Sequence, residues 1–261
     1  PFLVRALAGG VLVSLCAALL GVSLVLKRYS MIGDGLSHVS FGALSIAVAF
    51  GWSPLQVSIP VVVVAAFFLL RITENGKLNS DAAIAVISAS ALAVGITVTA
   101  LTTGMTTDVS SYMFGSILAM SREDVILAAG LSVVVLFLFI FFYHKVFAVT
   151  FDENFARATG VKVSWYHILF AVLTAVTIVL GMRMMGAMLI SSLIIFPALT
   201  AMRLFKSFRG VMIAAGAVAV VCFLAGMVIS YQASTPAGAS VVLVNLAVFL
   251  VCAAVQRIRG R

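Results

Sequence analysis

Asp34 and His38 lie four residues apart in the stretch GDGLSHVSFG, residues 33–42, within an apolar run of membrane-crossing length. On a helix this spacing sets a carboxylate and an imidazole on one face. Carboxylate oxygen and neutral imidazole nitrogen are both ligands for divalent transition metals. An ionisable side chain inside a bilayer costs roughly 2.5–3.5 kcal/mol on insertion scales, so it usually faces a cavity and handles an ion, proton or substrate. Two ligands do not complete a site. Two copies of the chain meeting at a twofold axis would collect two carboxylates and two imidazoles, enough for a tetrahedral ion. The alternative reading is an N-cap aspartate beside a histidine bonded to a backbone carbonyl. Ser37 and Ser40 share the helix.

The elements that must position this pair are apolar spans. Of 261 residues, 64% are hydrophobic and 9% charged, and the mean hydropathy is +1.26. That composition excludes a soluble domain, where about a quarter of residues are charged. Runs at 3–26, 31–50, 54–71, 81–103, 124–144, 164–182, 185–203, 210–231 and 238–256 predict about nine transmembrane helices, with eight to ten compatible with the length. The expected fold is therefore an all-α polytopic membrane protein with a single transmembrane domain over residues 1–261. The chain opens at Pro1 without a methionine, and its first run is read as a true span rather than a signal peptide.

The net charge of +8 would point to nucleic acid in a soluble protein, but here the basic residues cap apolar runs, so the expected partner is the lipid bilayer. With the first helix running outside to inside, only Arg5, Arg122 and Arg183 of the 16 Lys and Arg residues fall outside. The positive-inside rule then places the carboxyl terminus in the cytoplasm. Trp52, Tyr112, Tyr143, Trp165 and Tyr231 fall near span ends as interfacial anchors. His144 and His167 are expected at interfaces as well. Cys16, Cys222 and Cys252 lie in apolar runs without CxxC spacing and read as buried small hydrophobes.

Three further stretches stand out. Residues 102–123 are too polar to span but carry Met113, Phe114, Ile117 and Leu118 in a stripe, which fits a re-entrant or interfacial helix. Residues 150–163, TFDENFARATGVKV, predict a short surface helix around 151–161 that ends at Gly160 and serves either as a docking element or as a solvated connector. Residues 181–200 place Gly186, Ala187, Ser191 and Ser192 on a helix with small faces, and Pro197 invites a kink, a combination suited to close packing or a gate. Met182, Met184 and Met185 read as packing rather than a soft-metal patch. No GxxxxGK[ST] loop is present, so the chain has no ATPase site of the P-loop kind, and HExxH and GxSxG are absent too.

RYSMIGDGLSHVSFG (28–42), YMFGSILAMSREDV (112–125), FDENFARATGV (151–161), MGAMLISSLIIFPALTA (185–201) and STPAGASVV (234–242) occur in order along most of the chain. With these stretches the sequence resembles the permease subunits of bacterial zinc and manganese ABC importers, of the metal-chelate and vitamin B12-like type. The resemblance implies a homodimeric or pseudo-dimeric membrane core, two cytoplasmic ATPase subunits that bind ATP, and an extracytoplasmic metal-binding protein, all at the bacterial inner (plasma) membrane. It implies no permanently bound cofactor: Zn2+ or Mn2+ is cargo. By the same resemblance Asp34 and His38 line the ion path, and Asp152, Glu153, Ala156 and Gly160 belong to the element coupling the ATPase to the permease. GDGLSHVSFG, with Gly35 and Val39, is more similar to zinc-type members. Manganese or iron import by the same family is the alternative, followed by a secondary transporter driven by an ion gradient.

Overall fold

The computed structural model describes residues 2–74, 80–103 and 122–258, and every regular element among them is a helix. In chain order these are α1 (Phe2–Leu26), α2 (Ile32–Ala49), α3 (Pro54–Glu74), α4 (Ser80–Thr103), α5 (Arg122–Phe141), α6 (Tyr143–Phe151), α7 (Glu153–Ala158), α8 (Val163–Met185), α9 (Ala187–Leu204), α10 (Phe208–Ala233) and α11 (Ala237–Ile258). Eight of them are long and apolar enough to cross a membrane, and the α5–α6 pair adds a bent ninth. Each of the nine apolar runs of the sequence falls mainly on helical residues, with breaks at Phe142 and Gly186. The polar stretch 102–123, with its stripe and Tyr112, lies outside the described residues except at its ends.

Local chemistry explains several of the ends. The α1 terminus closes as a Schellman turn: the Tyr29 amide donates to the Leu24 carbonyl at 2.8 Å and the Arg28 amide to that of Val25 at 3.0 Å. Arg28, at φ 63°, takes the left-handed position that glycine usually fills. Pro54 opens α3, where its missing N–H is an orphan in any case. The Ser207 hydroxyl caps α10 by accepting from the Gly210 amide.

Two boundaries differ from the sequence reading. The run 124–144 is not one straight span. Its helix breaks at Phe142 and α6 turns by 70°. The 20 residues of α5 already extend about 30 Å, enough for the hydrocarbon core. Beyond the break, α6 lays Tyr143, Phe147 and Phe151 around Phe208 of α10, with ring centroids 5.1–5.7 Å apart. The second difference is Gly186, expected inside a helix. It is the single-residue junction between α8 and α9, at φ 88° and ψ 159°, a conformation that side-chain-bearing residues rarely adopt.

α1 sits at the centre, against α5, α6, α8, α9 and α10. The span of α8 is 78% buried, whereas those of α4 and α11 are only 17% and 22% buried. The outward faces carry Leu101, Phe137, Ile213 and Leu250, the surface a helix presents to lipid rather than water. Met182, Met184 and Met185 are buried in the apolar core, as packing requires.

Candidate functional site

α2 is held on several sides. It packs against α4, α3, α8 and α9, and glycines set the spacing. A Cβ on Gly42 would lie 2.8 Å from the Ala91 carbonyl oxygen of α4, and one on Gly35 would lie 2.7 Å from Ile84. Between membrane helices, association rests on such close packing because lipid is as apolar as the side chains. Twelve of the 18 residues of α2 are buried. The other six, Asp34, His38, Ser45, Ile46, Val48 and Ala49, remain partly or fully exposed, and among them Asp34, His38, Ser45 and Ala49 follow at spacings of four, seven and four on one face.

Asp34 and His38 are therefore neighbours on a side of α2 that stays partly exposed among the described residues. The His38 Nε2 lies 3.7 Å from the Asp34 Oδ2, with side-chain exposures of 16% and 44%. That separation is too long for a hydrogen bond and short enough for both atoms to reach a common ion at ligand distances near 2 Å. The N-cap position belongs to Met31, with no side-chain bond, so Asp34 is not a cap. It occupies the first turn, closer to the helix end than its place in the apolar run indicated, where its negative charge also suits the helix dipole. Ser37 and Ser40 turn away. Both are fully buried, and the Ser37 hydroxyl donates to the Asp34 carbonyl at 2.7 Å. Among the described residues no cluster of three or more His, Cys, Asp or Glu forms, so one copy supplies only this pair.

The residues read as a coupling element form α7. The Asp152 carboxylate accepts from the Phe155 amide at 2.9 Å and caps its start. Its end is a second Schellman turn, with the Val161 amide donating to Ala156 and the Gly160 amide to Arg157. Gly160, at φ 81°, supplies the left-handed residue. Ala156 is fully buried among Val149, Val163 and Tyr166, while Phe155 stays exposed. α7 thus combines a fixed apolar foot with an open outer face.

Sequence reasoning missed what surrounds Glu153. The Lys27 Nζ at the end of α1 lies 2.8 Å from the Glu153 Oε1, and the His167 Nε2 on α8 lies 3.1 Å from the same oxygen. Burial works to raise the Glu153 carboxyl, but the Lys27 hydrogen bond and charge, helped by His167, outweigh it and hold the group below its ordinary value. His167, read as a simple interfacial residue, is engaged here. His144 is exposed at the start of α6. The signal available in advance was Glu153 in a loop bounded by basic span ends, which does not say which cation folds onto it.

The residues read as a gate are spread over the α8–α9 junction. Gly186 makes the turn, and the Ser191 and Ser192 hydroxyls donate back to the Ala187 and Met188 carbonyls. Pro197 is buried within a helix that continues through it.

Residues 1–256 match the family model described as ABC-3, ABC 3 transport family. The manganese import system permease protein ScaB of Streptococcus gordonii is 29% identical over 250 residues, covering 96% of this chain and 90% of that protein. The high-affinity zinc uptake system membrane protein ZnuB of Haemophilus influenzae is 27% identical over 245 residues, 94% of each. A chain in the solved structure of PsaBC from Streptococcus pneumoniae in complex with Fab superposes with a TM-score of 0.85 at 29% identity, covering 96% of this chain and 90% of that one.

Proposed function

The chain belongs to the ABC 3 transport family and is the permease-type subunit of a metal import system, and from that premise we propose that its cargo is zinc and that Asp34 and His38 are its ligands on the path. The observation that carries this reading is the Asp34–His38 pair on the partly exposed stripe of α2, 3.7 Å between donor atoms. One oxygen and one nitrogen donor form a half-site for a borderline-soft divalent ion. A second copy of the chain, applied to the same stripe, would complete a four-ligand set. Relatives named for manganese and for zinc match at nearly equal identity, so the preference for zinc rests on GDGLSHVSFG.

In this reading residues 1–261 act as one permease domain at the bacterial inner membrane, with basic span ends and the carboxyl terminus in the cytoplasm. ATP is bound and hydrolysed by two separate cytoplasmic subunits, and an extracytoplasmic binding protein delivers the ion. Asp152, Glu153, Ala156 and Gly160 form the coupling helix, whose exposed face docks the ATPase. Gly186, Ser191, Ser192 and Pro197 provide the close packing along which neighbouring helices shift. ATP-driven closure brings the two coupling helices together and opens the path outward, so that Asp34 and His38 take over the ion. Hydrolysis reverses the motion. Transit demands weak, incomplete coordination, because an ion held as in a structural site does not leave.

The test is ATP-driven uptake of zinc and manganese into vesicles carrying this chain, its ATPase and its delivery protein, with His38→Ala beside the wild type. Zinc uptake that is faster than manganese uptake and lost in the variant is expected. Faster manganese uptake would overturn the choice of metal, and uptake unchanged in His38→Ala would remove the pair from the path.

A further inference from the structure

Lys27 is only 12% exposed, and a lysine that buried is rare unless it is paired. Its Nζ stands 2.8 Å from the Glu153 Oε1 and 3.3 Å from the His167 Nε2. His167 reaches the same carboxylate oxygen at 3.1 Å. Arg157, one turn along α7, approaches the other oxygen at 4.0 Å. A single carboxylate on the first residue of α7 therefore gathers the end of α1 and the first turns of α8.

What lies beyond Lys27 is stiff. The Schellman turn locks residues 24–29, the Ile32 amide donates to the Tyr29 carbonyl at 3.1 Å, and the Gly35 amide donates to that of Met31 at 3.1 Å. No free linker separates Lys27 from the first turn of α2. Asp34 lies two residues beyond the start of that helix, about 3 Å along its axis, and His38 about 9 Å. A helix of six residues such as α7 does not stand alone in water. Its attachments are its apolar foot at Ala156 and this charged knot.

We infer that Lys27, Glu153 and His167 are positioning residues for transport, forming the tie through which displacement of the coupling helix moves the α1–α2 turn and, with it, the Asp34–His38 pair. The inference rests on the reading of α7 as the ATPase-docking helix. The ion pair joins the moving part to the turn and His167 braces the carboxylate from α8. A tie of this kind sets how much metal crosses per ATP, and leaves the ATPase its own contacts with the outer face of α7.

The experiment uses the complete transporter in vesicles and reads zinc taken up per ATP hydrolysed, together with ATPase copurification, for Lys27→Gln, Lys27→Arg and the exchange Lys27→Glu/Glu153→Lys. Lys27→Gln is expected to keep the ATPase bound and hydrolysing while zinc per ATP falls about tenfold, the scale of losing a charge-assisted hydrogen bond. Lys27→Arg and the charge exchange are expected to recover most of that loss, which a merely structural lysine would not require. A wild-type ratio in Lys27→Gln overturns the tie and leaves docking untouched. An ATPase that fails to copurify with the wild-type chain overturns the docking reading and the tie with it. If Lys27→Gln does not insert, the exchange variant decides: an unrecovered ratio in inserted protein also overturns the tie.

Discussion

Asp34→Asn separates a transport ligand from a structural carboxylate, because asparagine keeps the size and shape of aspartate and removes its charge. The Asp34 side chain is 44% exposed and its carboxylate stands 3.7 Å from His38, beyond hydrogen-bond range, and Asp34 caps no helix end. A partly exposed pair of this kind contributes at most about 1 kcal/mol to folding, which corresponds to a Tm shift of no more than about 4 °C. On the ion the effect is far larger. Losing a group that merely orients a metal ligand costs about 10–100-fold in affinity or activity, so losing a ligand's charge lies at or above about 100-fold. In a two-copy site the substitution removes both carboxylates at once. The assay pairs thermal unfolding of the purified protein with ATP-driven zinc uptake at sub-saturating metal. A folded variant with uptake down at least about 100-fold is the expected result. Wild-type uptake would refute the assignment of Asp34 to the path, and a variant that does not fold would show that the carboxylate is structural.

Gly42→Ala drives a Cβ to 2.8 Å from the Ala91 carbonyl oxygen; backbone cannot swing aside, so unfolding should show a loss of about 1–3 kcal/mol, whereas Gly130→Ala, where nothing lies within 4 Å, should show none. Gly160→Ala places a side chain at φ 81°, a strain of about 1–2 kcal/mol that should loosen the end of α7 and lower delivery-protein-stimulated ATPase activity without releasing metal specificity. The folded Glu153 carboxyl lies below its ordinary value of 4.5, so its contribution is fully present above that value and is lost as pH falls through the lowered one. Hydrogen exchange over residues 153–158, corrected for intrinsic rates, should therefore rise as pH falls below that ordinary value, with the acid step absent in Glu153→Gln.

Hydropathy alone was enough to mark the eight candidate spans and the bent α5–α6 pair, because a bilayer leaves a spanning backbone only its own hydrogen bonds and so forces each long apolar run into a helix. The i, i+4 spacing likewise placed Asp34 and His38 together, since helical periodicity is a local property. The cap at Asp152 and the left-handed turn at Gly160 were equally readable, each being set by one residue's own chemistry. Tertiary structure decided the rest. How far the Asp34 face of α2 stays exposed depends on where α3, α4, α8 and α9 pack, which no local pattern encodes. The bend at Phe142 has no proline or glycine to announce it and goes with the rings that α6 gathers around Phe208. Gly186 became a junction because α8 continues to Met185 before the chain can turn. Above all, Lys27 and Glu153 are 126 residues apart, and only the packing of α1 against α8, with α7 at its foot, turns two ordinary charges at helix ends into one partly buried contact.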